Sequence, residues 1–317
     1  MVKKLLIPLD GSALAERALA YATALSIPTS ARLVLVRAVT AHTLPGVDAR
    51  EPQVRALAEA RTYLSDVAHR LVARGFVVEV ATPYGESPAA WIVEEARLRK
   101  CDLIVMTTHG RTGPGRWWFG SVAEAVVAHS RLPVLLDRAW QPSQRELLLA
   151  DQPRLLVPLD GSTFAESVLD VAAGLAEDLG AELVVVRVDP RPRDVLTAEQ
   201  ALAEGEEDGL ALEESEYLQN VTESLGRDWP DLRVRTELRF GPPAEAITAA
   251  AIESNAALVV MATHGRTGVV RTVVGSVAGR MLEFDTAPLV LVHPSTLEQS
   301  DQNLEVNRPI EAQGSGQ

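Results

Sequence analysis

The sequence has one cysteine, Cys101, in 317 residues. No intrachain disulfide can form, and a reducing cytoplasm is the expected compartment. Cys101 enters an apolar run and reads as a packing residue rather than a redox centre. Positive charge is also scarce. Thirty Lys and Arg stand against 43 Asp and Glu, a formal net charge of −13, which argues against nucleic acid or an anionic membrane as partner. No apolar run reaches the roughly 18 residues of a membrane span. The first run, after Lys3 and Lys4, stops at Pro8 and Asp10, so it reads as a strand and not as a signal peptide. The phosphate-loop spelling G-x-x-x-x-G-K-[ST] is absent, as is a strand-following G-x-G-x-x-G. No H-x-x-x-H or Cys/His spacing suggests a metal held by side chains.

What is present is written twice. Met106–Val127 and Met261–Leu282 align without a gap at an offset of 155, with 12 of 22 positions identical. Leu5–Leu19 returns as Leu155–Leu169 with 10 of 15 identical, and Leu33–Val39 returns as Leu183–Asp189. Arg131–Asp137 answers Ala287–His293. All landmarks keep their order, which marks a tandem duplication of one unit. The expected domains are 1–138 and 154–294, joined by a linker at 139–153 in which Leu147–Leu149 pack onto something. Residues 295–317 are polar and aperiodic, and read as a disordered tail. The acidic stretch Glu199–Glu216 reads as a solvated helical face or loop rather than a docking surface.

Within each unit, strand-length apolar runs alternate with amphipathic stretches. The predicted strands are 3–9, 32–39, 76–81, 102–107 and 133–137, then 154–159, 182–188, 232–238, 257–262 and 288–292. Leu33–Val36 and Leu183–Val186 are apolar at consecutive positions, the pattern of parallel strands covered on both faces. Ala13–Leu25 and Thr163–Leu179 carry helical spacing, with Ser12 and Ser162 as N-caps. The fold class is α/β: two tandem doubly wound domains, each a five-stranded parallel sheet flanked by helices.

Ligands of such sheets bind beyond the carboxyl ends of the strands, where strand order reverses. The duplicated loop lies there. Gly110, Gly113, Gly115 and Gly120 let backbone N–H groups be presented without side chains in the way. Gly120-Ser121 opens a helix, whose N-terminus favours an anion, and Arg111 and Arg266 can add charge-assisted bonds. A phosphate is the expected occupant. Asp10 and Asp160 end the first strand of each unit. There a carboxylate can accept from a ribose or an adenine amine, or cap the first helix as an Asx-type turn; both readings stand. His109 and His264 have no carboxylate nearby in sequence and read as holding the loop's shape. Trp117 and Trp118 face Thr272 and Val273 in the second copy and read as packing or interface residues.

Thr-His-Gly, nine residues, then Gly-Ser, combined with Pro-x-Asp-Gly-Ser on the first strand, resembles the universal stress protein family in both copies. The ATP-binding branch of that family carries G-x-x-G-(nine residues)-G-[ST]. Gly110 with Gly120-Ser121, and Gly265 with Gly275-Ser276, match it, while Thr107 and Ala262 replace its first glycine. The resemblance implies an adenine nucleotide alpha hydrolase-like fold and ATP at the glycine loop of one or both units. Asp10 and Asp160 would meet the nucleoside, with Pro8 and Pro158 beside them, and the backbone of Ala38 and Val188 would meet adenine. The glycines Gly110, Gly120, Gly265 and Gly275 with Ser121 and Ser276 would hold the phosphates, and Met106, Thr107, His109, Arg111, Val122, Met261, Ala262, His264, Arg266 and Val277 would complete the nucleotide sites. Neither arginine alone neutralises a triphosphate, so Mg²⁺ is the expected companion. The last strands of the units would pair as an intramolecular pseudo-dimer, leaving a further homodimer open. A stress-response nucleotide sensor with an unnamed regulatory partner is the expected function. Alternatives are a slow ATPase, or a scaffold with relic sites. No residue set reads as a general base with an orienting partner, so no catalytic residue is assigned.

Overall fold

A computed structural model of the chain describes residues 2–40, 50–108, 120–138, 145–190, 206–263, 275–284 and 287–293. The first unit contributes β1 (Lys4–Pro8), β2 (Arg32–Val36), β4 (Val78–Ala81), β6 (Leu103–Thr108) and β7 (Val134–Arg138) to the main sheet. The second contributes β8 (Arg154–Leu159), β9 (Glu182–Asp189), β10 (Arg233–Phe240), β11 (Leu258–Ala262) and β12 (Leu289–Val292). All ten predicted strands are present to within two or three residues at their ends. The two-residue strands β3 (Val39–Thr40) and β5 (Tyr84–Gly85) form a separate parallel pair, too short to leave a periodic signal.

The strands join into one sheet in the order β10-β9-β8-β11-β12-β7-β6-β1-β2-β4. Every pairing inside a unit is parallel, and the seam between β12 and β7 is antiparallel, with Leu289 opposite Leu136, Val290 opposite Leu135 and Leu291 opposite Val134. The last strands of the duplicated units therefore pair with each other. Their apolar edges, which would otherwise offer unpaired backbone groups, close on themselves. Because the seam is antiparallel, the carboxyl ends of the two units' strands face opposite ends of the sheet.

The consecutive apolar residues of the central strands supply both layers of core. Leu5, Ile7, Leu33, Leu35 and Val105 point to one face and Leu6, Val34, Val36 and Ile104 to the other, all fully buried. At about 25 cal/mol per Å² of apolar surface removed from water, these strands are held chiefly by burial.

The predicted first helices are each broken. Ala13–Leu25 divides into α1 (Ala13–Glu16) and α2 (Ala18–Thr29), and Thr163–Leu179 into α7 (Thr163–Glu166) and α8 (Leu169–Leu179). In the first unit the Arg17 N–H turns back to the Leu14 carbonyl, a tightened turn. In the second the Ser167 hydroxyl donates to the Phe164 carbonyl, a side-chain competitor for the helix ladder. The remaining helices are α3 (Arg50–Val72), α4 (Pro88–Leu98), α5 (Ser121–His129), α6 (Arg145–Leu148), α9 (Glu206–Asp228), α10 (Pro243–Glu253) and α11 (Ser276–Met281). The expected linker thus holds a helical turn, with Leu148 buried in the core and Leu149 half exposed. Of the acidic stretch, residues from Glu206 onward are helical. Trp117, Trp118 and the tail lie outside the described residues.

Candidate functional site

Each unit has strand order 3-2-1-4-5, so its switch point lies between its first and fourth strands: β1 and β6 in the first unit, β8 and β11 in the second. The first acidic turn is built from its sequence in three steps. Gly11 has φ +93° and Gly161 φ +81°, a left-handed backbone that suits glycine. That turn lets the Ser12 N–H donate to Asp10 Oδ1 at 2.8 Å and the Ser162 N–H donate to Asp160 Oδ1 at 3.0 Å. Each serine then caps its helix, accepting from Ala15 N–H and Ala165 N–H at 3.1 Å. Both aspartates thus make the Asx-type turn. For Asp160, burial works against the charge, but the Ser162 hydroxyl and N–H and the Arg187 guanidinium outweigh it and hold the carboxyl below its usual range.

A cavity of about 270 Å³ opens at the first unit's switch point. Six of the predicted residues line it: Pro8, Asp10, Ala38, Met106, Thr107 and Val122. Its floor and walls also include Val36, Ile92 and Ala123, buried members of the core. Thr107 is 8% exposed, and its hydroxyl donates to the Leu14 carbonyl at 3.2 Å. Gly120 is the N-cap of α5 and Gly275 that of α11, and neither cap supplies a side-chain hydrogen bond. Their φ values are −68° and −52°, so what these glycines contribute is the missing side chain, not an unusual backbone. Ser121 and Val122 start α5, as Ser276 and Val277 start α11. Pro158 lies near the end of β8, two residues before Asp160, Val188 is buried on β9, and Met261 and Ala262 end β11. His109, Gly110, Arg111, His264, Gly265 and Arg266 lie outside the described residues.

Several contributors had no signal in the loop motif. Leu14, Ala15, Pro88 and Ile92 reach the cavity only through the fold. Beside Thr107, Arg17 donates to Asp137 Oδ2 at 3.2 Å and to the Arg138 carbonyl at 3.0 Å. Asp137 is 4% exposed. Burial pushes its carboxyl above the usual range against the pull of Arg17. The second unit has Ser167 and His293 at the corresponding positions, so this half-buried pair belongs to the first unit alone. Arg138 donates across the seam to the Met281 carbonyl. Cys101 is buried, and burial pushes its thiol up to about 12, so it remains a packing thiol. Among the described residues no group of three or more His, Cys, Asp or Glu could hold a metal ion, and no helix is long and apolar enough to cross a membrane.

Two parallel-sheet units in tandem, each presenting an acidic turn and a glycine-started helix, define a duplicated doubly wound α/β protein. The universal stress protein family model matches residues 1–138 and again 153–293, and the chain belongs to that family. A universal stress protein of Methanocaldococcus jannaschii is 30% identical over 140 residues, covering 44% of this chain and 81% of that protein. One from Mycolicibacterium smegmatis is 26% identical over 213 residues, 66% of this chain and 67% of the relative. A solved universal stress protein of Archaeoglobus fulgidus superposes with a TM-score of 0.70 at 21% identity, covering 92% of this chain and 98% of that one. That likeness speaks for the tandem fold.

Proposed function

We propose that the chain is a tandem nucleotide-binding regulatory protein that takes ATP, with Mg²⁺, at the switch point of one or both units. The observation that carries this reading is the cavity at the first switch point, lined by six of the residues that the family resemblance implies. Its volume lies just below the range of drug-sized ligand sites. That suits a nucleoside whose phosphates extend toward the uncapped N–H groups of α5. The apolar lining would stack a base, Asp10 would accept from the sugar, and the helix start would favour the anion. Among the described residues that line the cavity, none pairs a nucleophile with a base, and the role proposed is binding and signalling rather than catalysis. The metal would be held by the phosphates and water, since no described cluster offers a carboxylate cage.

Thr107 and Ala262, standing where the family's ATP-binding pattern has glycine, favour a second reading, in which one site is a relic and the chain acts through its surfaces. Mass spectrometry of nucleotide released from freshly purified protein, with calorimetric titration of ATP and Mg²⁺, separates the two. Co-purifying adenine nucleotide and saturable binding support the first reading. Protein that carries no nucleotide and shows neither heat nor a thermal shift with ATP refutes it.

A further inference from the structure

The end of the second strand carries an arginine in both units, and Arg37 and Arg187 occupy matching surroundings. Each guanidinium lies against the glycine of its acidic turn: a Cβ at Gly11 would meet Arg37 Cζ at 3.4 Å, and one at Gly161 would meet Arg187 Nη2 at 3.4 Å. Each also stacks on a tyrosine of its unit's long helix, Arg37 on Tyr63 at 5.1 Å and Arg187 on Tyr217 at 5.6 Å, within cation–π range. Tyr63 in turn donates to Glu16 Oε1 at 3.0 Å, while Arg70 donates to Glu16 Oε2 at 2.9 Å. In the second unit Tyr217 faces Glu166. The glutamates sit on the short helices that follow the acidic turns.

Conservation of the cluster within the duplication is selective. Asp, Gly, Glu and Arg recur at an offset of 150, but the tyrosine recurs at 154, so the ring keeps its place although the intervening segment is four residues longer. Elsewhere the units diverge: Arg17 becomes Ser167 and Thr107 becomes Ala262. Packing alone asks for apolar bulk at such a position and does not need the same charged, planar and acidic groups twice. Arg37 is not on the cavity wall; it touches the turn that supplies Asp10.

We propose that Arg37 and Arg187 are positioning residues. Each pins its acidic turn in the shape that offers the aspartate to a nucleoside, and couples that turn to the unit's long helix through the tyrosine and glutamate. The proposal rests on the nucleotide reading above for its ligand, not for the pinning itself. Loss of the guanidinium frees the glycine turn and removes the positive neighbour of the carboxylate. The groups that act on Asp160 are Ser162 on its own turn, Arg187 at the end of β9 and Tyr217 from α9, with Glu166 from α7 facing that tyrosine.

The test uses the full chain with Arg187→Gln, Arg187→Lys and Arg37→Gln. Carbon-detected NMR titration of Asp160 in nucleotide-free protein reads the pinning, and calorimetry with ATP and Mg²⁺ reads its use. In Arg187→Gln the Asp160 carboxyl is expected to titrate about half a unit higher or more. ATP affinity at that unit is expected to fall at least about 5-fold, while Arg187→Lys, which keeps the charge, restores the titration. Arg37→Gln is expected to weaken only the other site. An unshifted carboxyl in Arg187→Gln overturns the proposal, as does a shift that Lys fails to reverse. A reversible shift in a protein whose wild type binds no ATP refutes the nucleotide reading and leaves the pinning supported.

Discussion

Replacing Thr107 by alanine makes the first unit match the second at the position where the family's ATP-binding pattern has glycine. Thr107 lines the cavity at 8% exposure, and its hydroxyl is tied to the Leu14 carbonyl at 3.2 Å. Two effects follow, and they act on different quantities. Losing that hydrogen bond leaves the Leu14 carbonyl with the Arg17 N–H as its remaining donor, and removal of one such bond costs about 0.5–1.5 kcal/mol of fold stability. Relieving the branched side chain where a nucleotide would pass close to the backbone returns binding energy of the order of overpacking effects, about 1–3 kcal/mol, or roughly 5- to 150-fold in affinity. The hydrogen bond forms without ligand, and where the ligand leaves it intact it drops out of the affinity. The expected result is a less stable protein that binds ATP more tightly. The assay is calorimetry in a chain also carrying Gly275→Val, so that only the first site reports, beside a denaturant melt of the same protein. Unchanged or weaker ATP binding in Thr107→Ala would refute the steric argument and show that the hydroxyl serves the ligand.

In the wild-type chain the second unit is expected to bind ATP more tightly, so Gly275→Val removes the tighter event and Gly120→Val leaves it. Valine adopts the extended backbone of both positions readily, so thermal midpoints of the two variants should stay near wild type while the binding isotherms differ. Chelation with EDTA is expected to weaken ATP binding at both sites, and an unchanged isotherm speaks against Mg²⁺. Asp137 titrates above its unfolded value, so the stability it contributes is fully present below the ordinary carboxylate range and is lost as pH rises through the raised folded value. Asp137→Asn should therefore gain stability relative to wild type between about pH 4 and pH 7, read by denaturant melts at both values; equal slopes count against it. Truncating Leu136, fully buried opposite Leu289 at the seam, is expected to cost about 2–5 kcal/mol, and a Leu136→Ala melt within 1 kcal/mol of wild type contradicts a packed seam.

The parallel strands were legible because Leu33–Val36 and Leu183–Val186 are apolar at consecutive positions, a demand of burial on two faces that survives without any tertiary information. The caps at Ser12 and Ser162 were legible because capping is local. Helix breaks at Arg17 and Ser167 were not, since helical spacing continues across them and the cause is a particular hydrogen bond. At the site, six of the residues implied by the family resemblance line the first unit's cavity. The motif missed Leu14, Pro88 and Ile92, which reach the cavity by long-range packing. Arg37 and Arg187 did leave a signal, an arginine kept in both copies of an apolar run, but its partner tyrosines lie at a different offset and only the folded helices bring them near.

The antiparallel seam between β7 and β12 has a consequence for inheritance. A homodimer of single units would be governed by mass action and separated by dilution; joined in one chain, the halves meet at an effective concentration fixed by the connection. A homodimer must also repeat every substitution on both sides of its axis. Here each half can be altered alone, and the pair has used that freedom. Thr107 corresponds to Ala262, and the half-buried Arg17–Asp137 pair to Ser167 and His293. Covalent joining thus turns one symmetric pair into two halves, each of which can be altered without a matching change in the other.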